Sequence, residues 1–236
     1  GDWSGSHNDL AAGVDLYHTD HSRAGISVMH TNSSLDRTEN LGEVSMKKKF
    51  TRVSLYGCHD FAGGLHAAGD VFAGGIRIKD TSLVDMSTRT AGVHAEVGVD
   101  VPAGRGTITP LVRAAYAGIR GFTTKDGKGF PFTMKESHYS SFSAGLKASL
   151  PLSPVSLLTA YAGWGIRTGY DIDGTMSDAW NTMDISESGK EHVKTLGIGY
   201  RCDVTPFARL SLSAAREFSS GLHDDWNFQV SAAYKF

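Results

Sequence analysis

The residues that could make or break bonds are few and scattered. His138, Tyr139 and Ser140 form the one constellation with catalytic spacing. On a strand, residues two apart share a face, so His138 could deprotonate Ser140 for attack on an acyl ester. That chemistry needs a third polar group to orient the imidazole. The strand expected next, roughly 155–170, offers neither Asn nor Asp. The pair therefore reads as polar residues at a strand's rim above Phe142, and no catalytic residue is assigned. Ten histidines invite a metal reading. Yet His18 with His21, His59 with Asp60, and His223 with Asp224 fall in expected turns and loops, without a recognised ligand spacing. No metal and no cofactor is assigned. Gly-x-Ser-x-Gly, Walker, dinucleotide-binding and His-Glu-x-x-His motifs are absent. Cys58 and Cys202 belong to separate expected strands and opposite faces, which predicts two free thiols.

The elements that would position these residues announce themselves by period-two alternation. In the last segment Trp226, Phe228, Val230, Ala232, Tyr234 and Phe236 alternate with polar or small residues. Val93, Val97, Val99 and Val101 do the same against His94, Glu96, Gly98 and Asp100, and Phe142, Leu146 and Leu150 against Ser143, Lys147 and Ser149. Eleven such segments are visible, roughly at 8–17, 22–32, 44–58, 63–78, 90–101, 106–119, 136–150, 155–170, 192–203, 206–218 and 226–236. No stretch has capped helical periodicity. The segments are longer than the ~5–6 residues of an ordinary globular strand.

The connections alternate in length. Short ones, near 18–21, 59–62, 102–105, 151–154 and 204–205, take turns with polar ones near 33–43, 79–89, 120–135 and 171–191. A soluble sandwich has no reason to sort loops by parity. A transmembrane barrel does, with short periplasmic turns at one rim and longer extracellular loops at the other. The expected class is therefore all-β, a transmembrane antiparallel up-and-down β-barrel. Tyr161, Trp164, Tyr170, Trp226 and Phe236 are expected at strand ends, as an interfacial girdle.

Charge then falls on the face opposite the apolar stripe. Asp15, Arg52, Glu96, Asp100, Arg113, Lys147, Arg167, Arg201, Arg209 and Glu217 are expected to line the lumen, with Glu96 and Arg113 a candidate pair. Arg216 falls on the outward phase near the long-loop rim, where it can snorkel to lipopolysaccharide head groups. Composition agrees: 236 residues, 28 of them glycine, with 40% hydrophobic and 20% charged. A net charge of −2 argues against a nucleic-acid partner. No run approaches the ~18 apolar residues of a spanning helix. Gly1, with no leader pattern after it, suggests a mature chain or an excised piece.

Several blocks resemble the autotransporter β-domain, the translocator unit of type V secretion. They are the 50–57 stretch Phe-Thr-Arg-Val-Ser-Leu-Tyr-Gly, the 94–98 stretch His-Ala-Glu-Val-Gly followed by Thr-Ile-Thr-Pro-Leu at 107–111, and Leu-Thr-Ala-Tyr-Ala-Gly at 158–163. Glu96 takes the family's acidic position, Pro110 its proline, and Ala160-Tyr161-Ala162 replaces its "PYA". The terminal Tyr234-Lys235-Phe236 resembles the signal read by the barrel-assembly machinery, which Trp226 and Phe228 would complete. The resemblance spans nearly the whole chain.

It implies a monomeric twelve-stranded barrel in the bacterial outer membrane, contacting outer-membrane lipid and lipopolysaccharide, that exports and anchors its own N-terminal passenger without enzymatic activity. Residues 1–236 are then one barrel domain. With eleven strands visible, the linker helix and first strand are expected to be missing. The alternatives are a barrel enzyme such as a lipase or protease, or a porin or adhesin-like barrel that binds through its 171–191 loop.

Overall fold

The computed structural model describes residues 3–39, 42–80, 85–125, 130–169, 172–177, 182–187, 189–205, 208–220 and 225–234. In chain order the strands are β1 (Trp3–His18), β2 (Ser22–Glu39), β3 (Gly42–Asp60), β4 (Leu65–Asp80), β5 (Asp85–Val99), β6 (Val101–Ala103), β7 (Gly106–Ile119) and β8 (Phe122–Lys125). They continue as β9 (Pro131–Met134), β10 (Ser137–Ser153), β11 (Ser156–Thr168), β12 (Ile172–Ser177), β13 (Thr182–Glu187), β14 (Lys190–Thr205), β15 (Ala208–Ser219) and β16 (Asp225–Tyr234). Eleven long strands form one curled antiparallel sheet in the order β1-β2-β3-β4-β5-β7-β10-β11-β14-β15-β16. The short β6 continues the line of β5 along β7. Each long strand pairs with the next along the sheet, and the β2–β3, β3–β4 and β4–β5 ladders run without a register shift, so their interior backbone groups are satisfied without water.

The two ends of the sheet differ. At one end the turns are tight: the Thr19 N–H donates to the Ser22 carbonyl at 2.8 Å, and Gly63 and Gly104 take positive φ. The register shifts at Asp15/Tyr17, Pro151/Ser153 and Asp203/Thr205 cluster at this end, where bulges bend strands at a barrel rim. At the other end the hairpins are long, and β13-β12-β9-β8 form a second four-stranded sheet.

That second sheet corrects the expected long loops. β2 runs to Glu39 and β3 starts at Gly42, β4 reaches Asp80, and β8, β9, β12 and β13 occupy much of 120–135 and 171–191. Likewise β1 begins at Trp3, ahead of the expected start near residue 8. The physical reason is that ladder hydrogen bonds do not depend on side-chain polarity. A hairpin wet on both faces pairs well but loses the alternation by which a strand is recognised.

The eleven long strands match the eleven alternating segments, and their burial is inverted relative to a soluble sheet. Among the described residues the buried apolar side chains are only Ile76, Leu111 and Val193. Thr31, Ser54, Thr90 and Thr109 are buried instead, while Leu10 is 75% exposed, Phe228 74% and Val230 73%. Exposed apolar residues and less exposed polar ones alternate along β5, β7, β10 and β14. In water such a wall would aggregate. Against acyl chains it is the stable orientation, polar wall inward.

Candidate functional site

The inner wall is where the charged side chains meet. Opposite residues on paired strands share a face, so register decides which groups face one another. Glu96 lies opposite Arg113, and the Arg113 Nε–H donates to the Glu96 carboxylate. Glu96 is only 18% exposed, so this pair sits in a drier environment than a surface ion pair. His66, also half-buried, brings Nε2 to 3.8 Å from Glu96 and Nδ1 to 3.9 Å from Asp100. Asp100, at the break between β5 and β6, accepts from the hydroxyl of fully buried Thr109. One turn of the pleat above, Asp70 faces His94 at 3.4 Å.

Other contacts bridge strands that are not neighbours. The Arg167 guanidinium crosses β14 to reach the Glu217 carboxylate on β15. Tyr56 on β3 crosses β2 and donates its hydroxyl to Asp15 on β1. Glycine allows that crossing, because a Cβ on Gly25 would lie 2.6 Å from the Tyr56 hydroxyl oxygen. Tyr161 repeats the device on the other side. Its ring lies over the directly paired Gly145 and Gly163, and Cβ atoms there would come within 2.7 and 2.2 Å of its hydroxyl oxygen. The Arg113 guanidinium caps that ring at 4.6 Å. Arg52 caps Phe72 at 5.1 Å.

This placement corrects the expected girdle. Tyr161 is mid-strand and shares the inward phase of Gly163 and Arg167, so it belongs to the lumen. Glycine-bedded rings explain why an aromatic occupies the polar wall. Trp164 is on the outward phase, stacked on His192 at 5.8 Å, and Trp226 is exposed and stacked on Phe228. Tyr170 and Phe236 lie outside the described residues. Lys147 is half-buried on the inner wall, opposite Tyr161 and Thr109. Arg201 and Arg209 sit at the tight-turn rim, where Arg209 binds the Asp203 carboxylate with Nε at 2.6 Å. Arg216 is outward, over Phe218 at 4.6 Å and Trp226 at 5.4 Å.

His138 and Ser140 turn away from the arrangement a nucleophile needs. The His138 Nδ1 pairs with the Tyr116 hydroxyl at 2.8 Å, and the Ser140 hydroxyl with that of Thr168 at 2.8 Å. Among the described residues no three His, Cys, Asp or Glu side chains converge on a common point. Cys58 and Cys202 are free. His66 and Asp70 join this wall although neither is among the residues expected there from the sequence. Strand parity was the signal that could have found them, since both share the inward phase set by Asp70 facing His94 and Ala68 facing Glu96.

The autotransporter beta-domain family model matches residues 2–214. No curated protein sequence matches the chain. Among solved structures the chain is similar to the β domain of the Bordetella autotransporter BrkA, with a TM-score of 0.73 and 16% identity over 99% of this chain and 92% of that one. It is also similar to the transport unit of AIDA-I from Escherichia coli, with a TM-score of 0.71 and 15% identity, covering 99% and 83%. The translocator domain of NalP from Neisseria meningitidis aligns with a TM-score of 0.67 and 16% identity, covering 99% and 81%.

Proposed function

The chain belongs to the autotransporter β-domain family and is an outer-membrane translocator barrel of type V secretion, and from that premise we propose how its residues divide the work. Residues 1–236 act as one translocator domain. Its inner wall is the conduit for a passenger segment in extended form, and the passenger is the part of the same polypeptide that precedes the barrel. Glu96, Arg113, Arg52, Asp15, Asp100, Lys147, Arg167 and Arg201 give that wall both signs of charge, so it wets the moving chain without gripping either sign. The observation that carries this reading is the inverted wall, polar residues inward and exposed apolar ones outward. Bond-making chemistry has no part in it; His138 and Ser140 hydrogen-bond to other partners.

A seam supports a further part of the reading. β1 and β16 are the two edges of the sheet, and counted along the up-and-down order both run toward the tight-turn rim. Joined directly they would be parallel. Bacterial single-chain outer-membrane barrels have an even number of antiparallel strands. One ascending strand from the polypeptide preceding β1 completes the monomeric barrel. The terminal strand carries Trp226, Phe228 and Tyr234, followed by Phe236, for the assembly machinery.

The test is surface display. An epitope-tagged passenger is placed ahead of the full chain in Gram-negative cells, and intact cells are shaved with protease. Export predicts that the epitope is removed while the barrel stays in the outer membrane. A folded outer-membrane barrel whose epitope stays protected would contradict the conduit.

A further inference from the structure

On the outer wall of β2, β3, β4 and β5, successive cross-strand rows read from the tight-turn end as Ala24-Gly57-Gly69-Ala95, Ile26-Leu55-Val71-Val93 and Val28-Val53-Ala73-Ala91. The pattern then changes abruptly. The next rows are His30-Thr51-Gly75-Arg89, Asn32-Lys49-Arg77-Ser87 and Ser34-Lys47-Lys79-Asp85. On β5 the outward positions from Val99 to Ala91 cover about 27 Å of strand at ~3.4 Å per residue. At the usual barrel tilt of ~35–45° that is about 20 Å of height, close to a bilayer's apolar band. The basic rows therefore begin where acyl chains end, at the rim with the long hairpins, which is the outer leaflet.

This surface is more than a scatter of charges. A cavity of about 430 Å³ opens outward among His30, Lys49, Thr51, Gly75, Arg77 and Arg89. Its floor is Gly75, where an added Cβ would meet only the Thr88 carbonyl at 4.0 Å. Arg77 and Lys79 share Asp85 at 2.9 and 3.4 Å, and the hydrogen bond from Arg77 holds that carboxyl below its usual range. Lys49 and Arg89 face the cavity with no acidic partner among the described residues. The Arg120 N–H donates to the Arg89 carbonyl at 2.9 Å, which ties the backbone of Arg89 to the end of β7. His30 is tied to the Thr51 hydroxyl at 2.7 Å, which fixes the opposite wall.

We propose that this cavity is a binding site for the phosphorylated head group of lipopolysaccharide, with Lys49 and Arg89 as its principal phosphate ligands and Arg77 completing the cradle. Guanidinium and ammonium donors form strong charge-assisted bonds to phosphate oxygens. The position selects a lipid source: a phosphate held here has its acyl chains lying against Val28, Val53, Ala73 and Ala91. The site rests on the outer-membrane reading and gives it a specific lipid partner.

The test uses the folded barrel in detergent micelles, titrated with bis-phosphorylated lipid A and followed by native mass spectrometry. Parallel arms use dephosphorylated lipid A, phosphatidylglycerol and inorganic phosphate. Saturable binding of bis-phosphorylated lipid A is expected, weakened at least tenfold by the double substitution Lys49→Gln with Arg89→Gln. Gly75→Leu fills the cavity without removing charge, and it should weaken binding similarly. A control change at the opposite rim, Arg105→Gln, should leave binding intact. Unchanged affinity in the cavity variants would overturn the site. So would equally tight binding of dephosphorylated lipid A, phosphatidylglycerol or inorganic phosphate. Each variant is also checked for outer-membrane fractionation and a heat-dependent gel shift. Variants that pass while lipid A binding is unchanged sink the site alone; a wild type that fails sinks the barrel reading with it.

Discussion

The substitution Gly163→Ala tests whether the glycine-bedded tyrosine is a structural fastening. The new Cβ would lie 2.2 Å from the Tyr161 hydroxyl oxygen and 2.7 Å from Cζ, so the ring must leave its bed. Leaving it uncovers Gly145 on the paired strand and removes the platform beneath the Arg113 guanidinium at 4.6 Å. The lost cation–π contact is worth about 0.5–2 kcal/mol, and forcing an extra carbon into a filled site costs about 1–3 kcal/mol. Because relaxation of one relieves the other, the net expectation is a destabilisation of about 1–3 kcal/mol. The assay is reversible urea unfolding of the folded barrel in lipid bilayers, followed by tryptophan fluorescence, in a double-mutant cycle. Tyr161→Phe keeps the ring and should change stability little. In a Tyr161→Ala background the bed is empty, and Gly163→Ala should then cost little or nothing. If Gly163→Ala costs the same with and without the Tyr161 ring, the two residues are uncoupled and the reasoning is wrong.

Three other outcomes follow from the same wall. Arg113→Met leaves Glu96 half-buried without its guanidinium and should destabilise the barrel by about 1–3 kcal/mol; adding Glu96→Gln should recover part of that in the same urea assay, and no recovery would mean the pair is not coupled. At the tight-turn rim, outside the apolar band, the Arg209 hydrogen bond holds the Asp203 carboxyl below its usual range. Its contribution is therefore present above the ordinary carboxylate pKa of ~3.9 and lost as pH falls through the lower folded value. The stability difference between wild type and Asp203→Asn should shrink over that interval, and a difference that grows with acidification would reverse the assignment. Finally, Cys58 and Cys202 should both be alkylated after unfolding without reductant, adding two labels by mass; an unlabelled chain two protons lighter would reveal a disulfide.

The strands were legible because each side of the wall meets a different solvent. Phe142, Leu146 and Leu150 against Ser143, Lys147 and Ser149 is a pattern only a two-solvent strand needs, and the structure keeps its phase from Ser141 to Leu150 of β10. Legibility ended where that asymmetry ended. Above the apolar band the sequences of β2, β3, β8, β9, β12 and β13 no longer alternate apolar with polar residues, although their pairing continues. The lumen was legible in charge and illegible in aromatics. Glu96 and Arg113 could be matched from their strands, but Tyr161 and Tyr56 were not predicted to lie flat over glycines on the adjacent strand. That arrangement depends on register, which alternation within one strand does not encode. The cationic cavity was hidden for the same reason, since Lys49, Arg77 and Arg89 lie on three strands and meet only across two ladders.

The central claim is that the outward phase of the sheet faces lipid and the inward phase faces water. Single cysteines placed one at a time from 142 to 148 on β10, in a background with Cys58 and Cys202 changed to serine, report it directly. In the barrel reconstituted into bilayers, spin labels are compared for collision with oxygen, which concentrates in lipid, and with a charged nickel chelate, which stays in water. Labels at 142, 144, 146 and 148 should favour oxygen and those at 143 and 147 the chelate, with Gly145 left unchanged because the Tyr161 ring fills its site. Equal access of the chelate to both sets would contradict the account.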